Sequence, residues 1–505
     1  MRFIRGMWRG TCTQTSNGGA FPRGIASRPS FGIGGFGGAS ALGGLRTHAG
    51  QRTVDCSASR QALGATPTVT TPVAFSRVRA RAAHSGVAAM AVATDKQLMS
   101  VAPMMDWTDL HWRQLARMLS KHTWLWTEMV VDLTLVHQDP NLDKFLWFPE
   151  EQHPIVLQLG GSDPETLAKA AELALPYGYD EINLNCGCPS DRVAGSGCFG
   201  AALMLDPQRV GACCAAMNKV LGGVPLTIKC RLGVDDHDSY EELAKFIRVV
   251  SEEGGITHFI MHARKAFLQG LNPHQNRTVP PLRHQWVFAL RRDFPHLSFS
   301  LNGGVQSCTE VSAILESTIQ GNKVEGIMVG RAAYHYPWQV LAVADTAVFG
   351  AAEDPAKSRR QVLRDYAKYA DSIQGRFTVE GHKQNPNTRS LTIPLLNMFH
   401  GEAGNRAWKQ SVDKVLREAQ SVSELLDKTL NCFSDEVLDA PPSPPPQGMP
   451  AAEWLETLQE LPLPATGEYD SSVRSVDDAA DGNGSASEAN GAAEHAPPSA
   501  DAVRS

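Results

Sequence analysis

The run Asn183-Leu184-Asn185-Cys186-Gly187-Cys188-Pro189-Ser190-Asp191-Arg192 holds the side chain with the clearest chemical use. Cys188 falls just past a β-rich run, before a proline and among amide, hydroxyl and charged groups. A thiol in an ordinary environment is largely protonated at neutral pH and can give up that proton as a general acid. Two cysteines with one residue between them also suggest a metal, but the sequence has no second thiol pair at ligand spacing, so no metal is expected. Cys186, Cys213 and Cys214 read as small buried hydrophobes.

Other runs ask for an anion. Asn302-Gly303-Gly304 and Gly330-Arg331 end two apolar stretches. Glycines there let backbone N–H groups approach a phosphate, and Arg331 adds charge. Lys229 and His262, from two further runs, would face the electron-accepting ring of a phosphate-bearing cofactor, with Gln158 as a bidentate amide. Flavin mononucleotide (FMN) fits this set.

Positioning these groups is the task of eight short apolar runs, separated by longer helix-like stretches. The runs are Val101-Ala102-Pro103, Trp124 to Met129, Ile155 to Leu159, Glu181 to Asn185, Leu226 to Arg231, His258 to Ala263, Ser298 to Asn302 and Gly326 to Gly330. In one connection, Asp163 is placed to cap a helix and Pro164 suits its first turn. Alternating strands and helices imply parallel βαβ units, and eight of them imply a closed (β/α)8 TIM barrel of α/β class. A doubly wound sheet is the alternative, but no Gly-rich dinucleotide turn follows the first run. A barrel places functional residues at the C-terminal strand ends. Here those ends hold Met104 and Met105, Glu128, Gln158, Asn185, Lys229 with Arg231, His262, Asn302 to Gly304, and Gly330 with Arg331.

The chain has 505 residues and a formal charge of −6, which at first argues against a nucleic-acid partner. The charge is uneven. Residues 1–94 carry eleven Arg against the single acid Asp55, and residues 436–505 carry thirteen acids against two Arg. Between them, 95–354 sums to −9 and 355–434 to +5. This division gives an Arg-rich, acid-poor N-terminal segment (1–94), a catalytic barrel (95–354), a small all-α domain (355–435) and a disordered acidic Pro/Ala-rich tail (436–505). The first segment reads as a transit peptide to the plastid, with the mitochondrion as the alternative because of Met1-Arg2-Phe3-Ile4-Arg5; a disordered RNA-binding tail is the competing reading. In the tail, Ala451 to Leu461 places Trp454, Leu455, Leu458 and Leu461 at helical spacing and reads as a transient solvated helix, with docking on the body or on a partner as the alternative. No stretch reaches the roughly 18 to 20 apolar residues that span a bilayer, so no membrane partner is expected. Ten irregularly spaced cysteines fit reduced thiols in a cellular interior.

Five motifs together resemble the FMN-dependent tRNA-dihydrouridine synthases, and among them the A-type enzymes. They are Val101-Ala102-Pro103-Met104-Met105-Asp106-Trp107-Thr108-Asp109; Leu157 to Pro164; Gly178 to Asn185 running on through Gly187 to Val193; Ile260-Met261-His262-Ala263-Arg264-Lys265-Ala266; and Asn302-Gly303-Gly304. The resemblance implies reduction of the uracil C5=C6 bond in tRNA, at D-loop positions 20 and 20a. It implies that FMN, reduced by NADPH, delivers hydride to C6 while Cys188 protonates C5 from the other face. It implies cofactor contacts from Pro103, Met104, Met105, Gln158, Lys229, His262, Asn302, Gly303, Gly304, Gly330 and Arg331. Asn185 would hold the base, and His274 and Arg277 would contact tRNA. Arg406 and Lys409, at i, i+3 on one face beside Trp408, read either as a tRNA platform on the basic appendage or equally as a solvated basic face, and a monomer is expected. His274 stands where the family usually has Lys, and Ile393-Pro394 where it has an Arg-His pair. The loop from Arg192 to Phe199 is one residue longer. The competing functions are an FMN-dependent barrel enzyme acting on a small molecule and a non-catalytic tRNA-folding helper.

Overall fold

The computed structural model describes residues 97–138, 141–190, 199–443, 451–456, 458 and 460–465. The expected transit peptide, the distal tail and most of the Arg192–Phe199 loop lie outside them. Nine strands make one parallel sheet: β1 (Met99–Val101), β2 (Leu125–Trp126), β3 (Val130–Val131), β4 (Ile155–Gly160), β5 (Glu181–Cys186), β6 (Leu226–Arg231), β7 (His258–His262), β8 (Ser298–Asn302) and β9 (Gly326–Val329). The order runs β1-β9-β8-β7-β6-β5-β4-β2, with β3 a short extension on β4. A bridge between Ser100 and Trp124 joins β1 to β2 and closes the barrel. The (β/α)8 expectation holds.

The first two strands differ from the expected runs. β1 lies at Met99–Val101 because Pro103 has no N–H to continue the ladder; Ala102 makes the last bond, to the Val329 carbonyl at 2.8 Å. The second run divides at Thr127, whose hydroxyl accepts the Gln158 amide at 3.0 Å, so the side chain stands in for the ladder between β2 and β3.

Helices α1 (Leu110–Leu119), α2 (Pro164–Ala174), α3 (Pro207–Val220), α4 (Tyr240–Gly254), α5 (His284–Asp293), α6 (Cys308–Glu316) and α7 (Arg331–His335) belong to the barrel. Asp163 caps α2 through the Thr166 amide, with Pro164 at its first position, as the sequence predicts. Ser239 and Glu242 form a capping box on α4.

Beyond the barrel come α8 (Arg359–Ile373), α9 (Asn405–Val415), α10 (Val422–Thr429) and α11 (Asp435–Asp439). Their core holds Phe399 stacked on Phe433 at 3.8 Å, with Trp408 edge-on to Phe399 at 4.9 Å. Trp408 is fully buried there, so it supports the appendage from within rather than offering a ring beside Arg406 and Lys409. Arg359 joins appendage to barrel: it packs over Trp338 at 4.8 Å and pairs with Glu402 at 2.6 Å.

Two parts of the segment expected as a disordered tail are ordered. α11 is tied to Arg360 through Asp435 and Asp439. Helix α12 (Ala451–Glu456) lies on the barrel with Trp454 only 6% exposed, not solvated as its short amphipathic pattern suggested. No helix among the described residues is long and apolar enough to cross a membrane.

Candidate active site

Alternation along a strand sends every second residue into the barrel. In β5 these are Glu181, Asn183 and Asn185; in β6, Thr227, Lys229 and Arg231; in β8, Ser300 and Asn302. Their polar groups join in one directed chain. Thr227 donates its hydroxyl to Glu181 at 2.5 Å and accepts from Asn183 Nδ2 at 2.9 Å. Asn183 Oδ1 accepts from Gln158 Nε2 at 2.9 Å, and Gln158 Oε1 accepts from Asn185 Nδ2 at 2.8 Å. Asn185 Oδ1 then accepts the backbone N–H groups of Gly187 and Cys188, at 2.9 and 3.0 Å. Gln158, Asn183 and Asn185 each donate one amide N–H and accept at the amide oxygen, which orients all three amides. Burial pushes the Glu181 carboxyl up to about 8.

Asn185 therefore shapes the loop that presents Cys188. Its oxygen is committed to that loop, and one amide N–H remains for a substrate base. Cys188 is half-buried and lies within electrostatic reach of Lys229, Arg231 and Arg277. Arg231 fixes the surrounding loops by donating to the carbonyls of Gly187 at 3.0 Å, Lys265 at 3.1 Å and Asn276 at 2.8 Å.

The cations at this end converge, with Arg231 and Lys229 close to His262 and Arg264 and Arg277 close to Arg331. Lys229 donates to Asn302 Oδ1 at 3.2 Å, Arg277 to the Pro273 carbonyl at 2.9 Å and Arg331 to the Arg277 carbonyl at 3.3 Å. Arg264 reaches the Pro280 carbonyl, while its buried Nε has no partner. Among the described residues, no carboxylate forms an ion pair with any of these or with Arg231. Burial, reinforced by Arg231, brings the Lys229 ammonium down to about 8. His262 is held well below its usual range by burial and then by Arg231 and Lys229, so its imidazole is neutral at pH 7.

Gly303 and Gly304 adopt φ of +119° and +85°. A Cβ on Gly303 would stand 3.0 Å from the His262 ring, and one on Gly304 only 2.8 Å from Leu282. That bare backbone, the orphaned Arg264 Nε and Arg331 suit a phosphate, and the neutral imidazole and Lys229 suit the polar edge of a ring. A phosphate-bearing cofactor fits the residues present. Gly330 differs from the other two, with a negative φ of −105°.

The remaining expected residues are placed unevenly. Pro103 is half-buried and Met104 buried at the end of β1, whereas Met105 is 57% exposed. Glu128 accepts the Asp106 amide, and burial pushes its carboxyl up to about 7. His274 is exposed on the loop after β7, while Arg277 from the same loop turns inward toward Cys188. On the appendage, Arg406 is exposed, and Lys409 is half-buried near His335 and His400. A cavity of about 810 Å³ between α1, Trp147 and α8 is lined by none of the barrel-mouth residues.

Sequence reasoning missed Arg264, although it lies two residues beyond His262 in a recognised motif. It also missed the supporting Asn183 and Thr227, which the period-2 pattern of β5 and β6 marks as inward-facing.

Residues 100–437 match the family described as Dihydrouridine synthase (Dus). A curated relative, the tRNA-dihydrouridine(20/20a) synthase of Vibrio parahaemolyticus, is 43% identical over 66% of this chain and 95% of its own length. The protein of the same name from Escherichia coli K12 is 43% identical over 67% of this chain and 92% of its own. Among solved structures, an old yellow enzyme homologue from Zymomonas mobilis is 13% identical with a TM-score of 0.35, covering 48% of this chain and 86% of that one, too slight a likeness to argue from. The chain belongs to the dihydrouridine synthase family, flavin-dependent oxidoreductases.

Proposed function

We propose that this protein reduces uridine to 5,6-dihydrouridine at D-loop positions 20 and 20a of tRNA, with FMN as resident cofactor and NADPH as reductant. The relatives that carry this activity in their names match over nearly their whole length. The observation that carries the reading is the barrel mouth itself: a half-buried thiol within electrostatic reach of Lys229, Arg231 and Arg277, three cations that have no carboxylate partner among the described residues.

When bound, reduced FMN supplies the hydride that adds to uracil C6. Arg264, Arg331, Gly330 and the Gly303-Gly304 backbone would hold its phosphate. Gln158, Lys229, His262 and Asn302 would surround its ring, with Pro103, Met104 and Met105 packing against it. Cys188 Sγ gives its proton to C5, so that the double bond gains one hydride and one proton, and the thiolate regains a proton from solvent. Asn185 holds the loop that aims Cys188 and offers its last N–H to the base.

Extruding a uridine from folded RNA costs a few kcal/mol of unstacking, which backbone contacts must offset. Arg277 and His274 are placed for those contacts beside the mouth, and Arg406 and Lys409 on the appendage. Action as a monomer is part of this proposal. Residues 1–94 would direct the protein to the plastid.

The test is to incubate the flavin-loaded full-length protein with NADPH and unmodified tRNA and to map dihydrouridine along the product. Formation at positions 20 and 20a is expected. NADPH consumption with no dihydrouridine in the tRNA would sink the proposal.

A further inference from the structure

We infer that the C-terminal segment 451–465 is a strap that positions the phosphate loop through His284 and thereby sets how tightly the cofactor is held. The role rests on the flavin reading above. The family match stops at residue 437, so the strap is an addition to the matched part of the chain.

The strap follows α5 from end to end. At the first turn of α5, the buried Trp454 lies 5.9 Å from the His284 ring, tilted by 30°, and 5.9 Å from Phe288. At the last turn, Arg292 donates to the Pro462 carbonyl at 3.0 Å and the Ala465 amide donates to Asp293 at 3.2 Å. Tyr240 donates its hydroxyl to the same Asp293 oxygen, Oδ2, at 2.8 Å. Helix α12 also packs against α6, the helix that follows the phosphate loop. Both helices flanking the loop are therefore covered by one segment.

His284 carries the connection. Its Nε2 donates to the Gly303 carbonyl at 2.7 Å, and its Cε1 lies 3.7 Å from where a Cβ on Gly304 would stand. Burial keeps the imidazole below its usual range, so the ring is neutral with a single N–H, and that N–H goes to Gly303. Two consecutive glycines at positive φ have no side chains with which to hold their own conformation. What fixes them are the neighbours that bond to their backbone, His284 at the Gly303 carbonyl and Gln306, whose Nε2 donates to the Gly304 carbonyl at 2.9 Å; of the two, His284 is the one the strap touches. With Trp454 removed, one face of His284 opens to water, and water competes for its N–H.

The test compares full-length holoenzymes of the wild type, Trp454→Ala and Trp454→Phe, measuring flavin dissociation from the fluorescence of FMN released on dilution. Trp454→Ala should weaken retention about three- to tenfold, the worth of one aromatic contact. Trp454→Phe should restore most of it, and kcat at saturating FMN and KM for tRNA should stay unchanged. A chain ending at Ser443 should show the same weakened retention, so the outcome does not hang on one variant folding. Equal flavin affinity in all four chains, even with a lowered melting temperature, would reduce the strap to a stabilising patch and overturn the inference. A wild-type chain that binds no flavin would instead overturn the flavin reading and this role with it.

Discussion

In the appendage, Arg359 reaches Glu402, Arg360 reaches Asp435 and Asp439, Lys368 reaches Asp365 and Lys428 reaches Glu424. At the barrel mouth, Lys229, Arg231, Arg264, Arg277 and Arg331 donate, among the described residues, to carbonyls and to one amide oxygen. Yet residues 355–434 sum to +5 and the barrel segment 95–354 to −9. Net charge by segment thus points away from the place where an anion finds uncompensated cations. An anion approaching Lys368 or Lys428 competes with carboxylates already in place, and such exposed pairs are worth little to either partner. At the mouth it meets half-buried and buried donors with no carboxylate partner among the described residues, and charge-assisted contacts of that kind are strong. On the proposed function, the mouth would hold a particular anion and the appendage would make adjustable contact with a larger one.

This contrast can be broken at either end. The largest effect is expected from Asn185→Ala, which frees the Cys188 loop: dihydrouridine formation should fall about a hundredfold, the cost of a small misplacement of a reacting group. Flavin content should be retained, as an absorbance spectrum of the purified variant would show. Arg264→Gln should weaken FMN binding about ten- to hundredfold, as expected for a lost charged hydrogen bond, with the KM for tRNA little changed; a flavin titration checks it. Arg406→Ala should act in the opposite sense, leaving flavin affinity intact. It should lower the slope of log tRNA affinity against log salt by about 1. Equal effects of Arg264→Gln and Arg406→Ala on flavin would erase the distinction between the two regions.

Much of this arrangement was legible in the sequence because parallel strands buried on both faces read as short apolar runs, and their polar C-terminal ends stood out against them. Cys188, Lys229, His262 and the Gly303-Gly304 pair could be picked out in that way. The less legible parts have physical causes. β1 and β2 were misplaced because Pro103 ends one ladder and the Thr127 side chain interrupts the other. Arg264 was passed over because it lies beyond the strand, where alternation no longer says which way a side chain points. Trp408 looked like a surface ring because its charged neighbours were read together with it, although helical spacing puts them on a different face. For the strap, docking on the body is only the second reading in the sequence, because a six-residue helix has almost no stability of its own and packing on the barrel helices is what makes it form.

The account centres on Cys188 as the group that protonates uracil C5. Its most direct test is dihydrouridine formation in tRNA by flavin-loaded Cys188→Ala beside the wild type, with flavin content matched. The variant should hold flavin normally and form dihydrouridine at least about a hundredfold more slowly, in the range of a lost general acid. Formation at the wild-type rate would contradict the account.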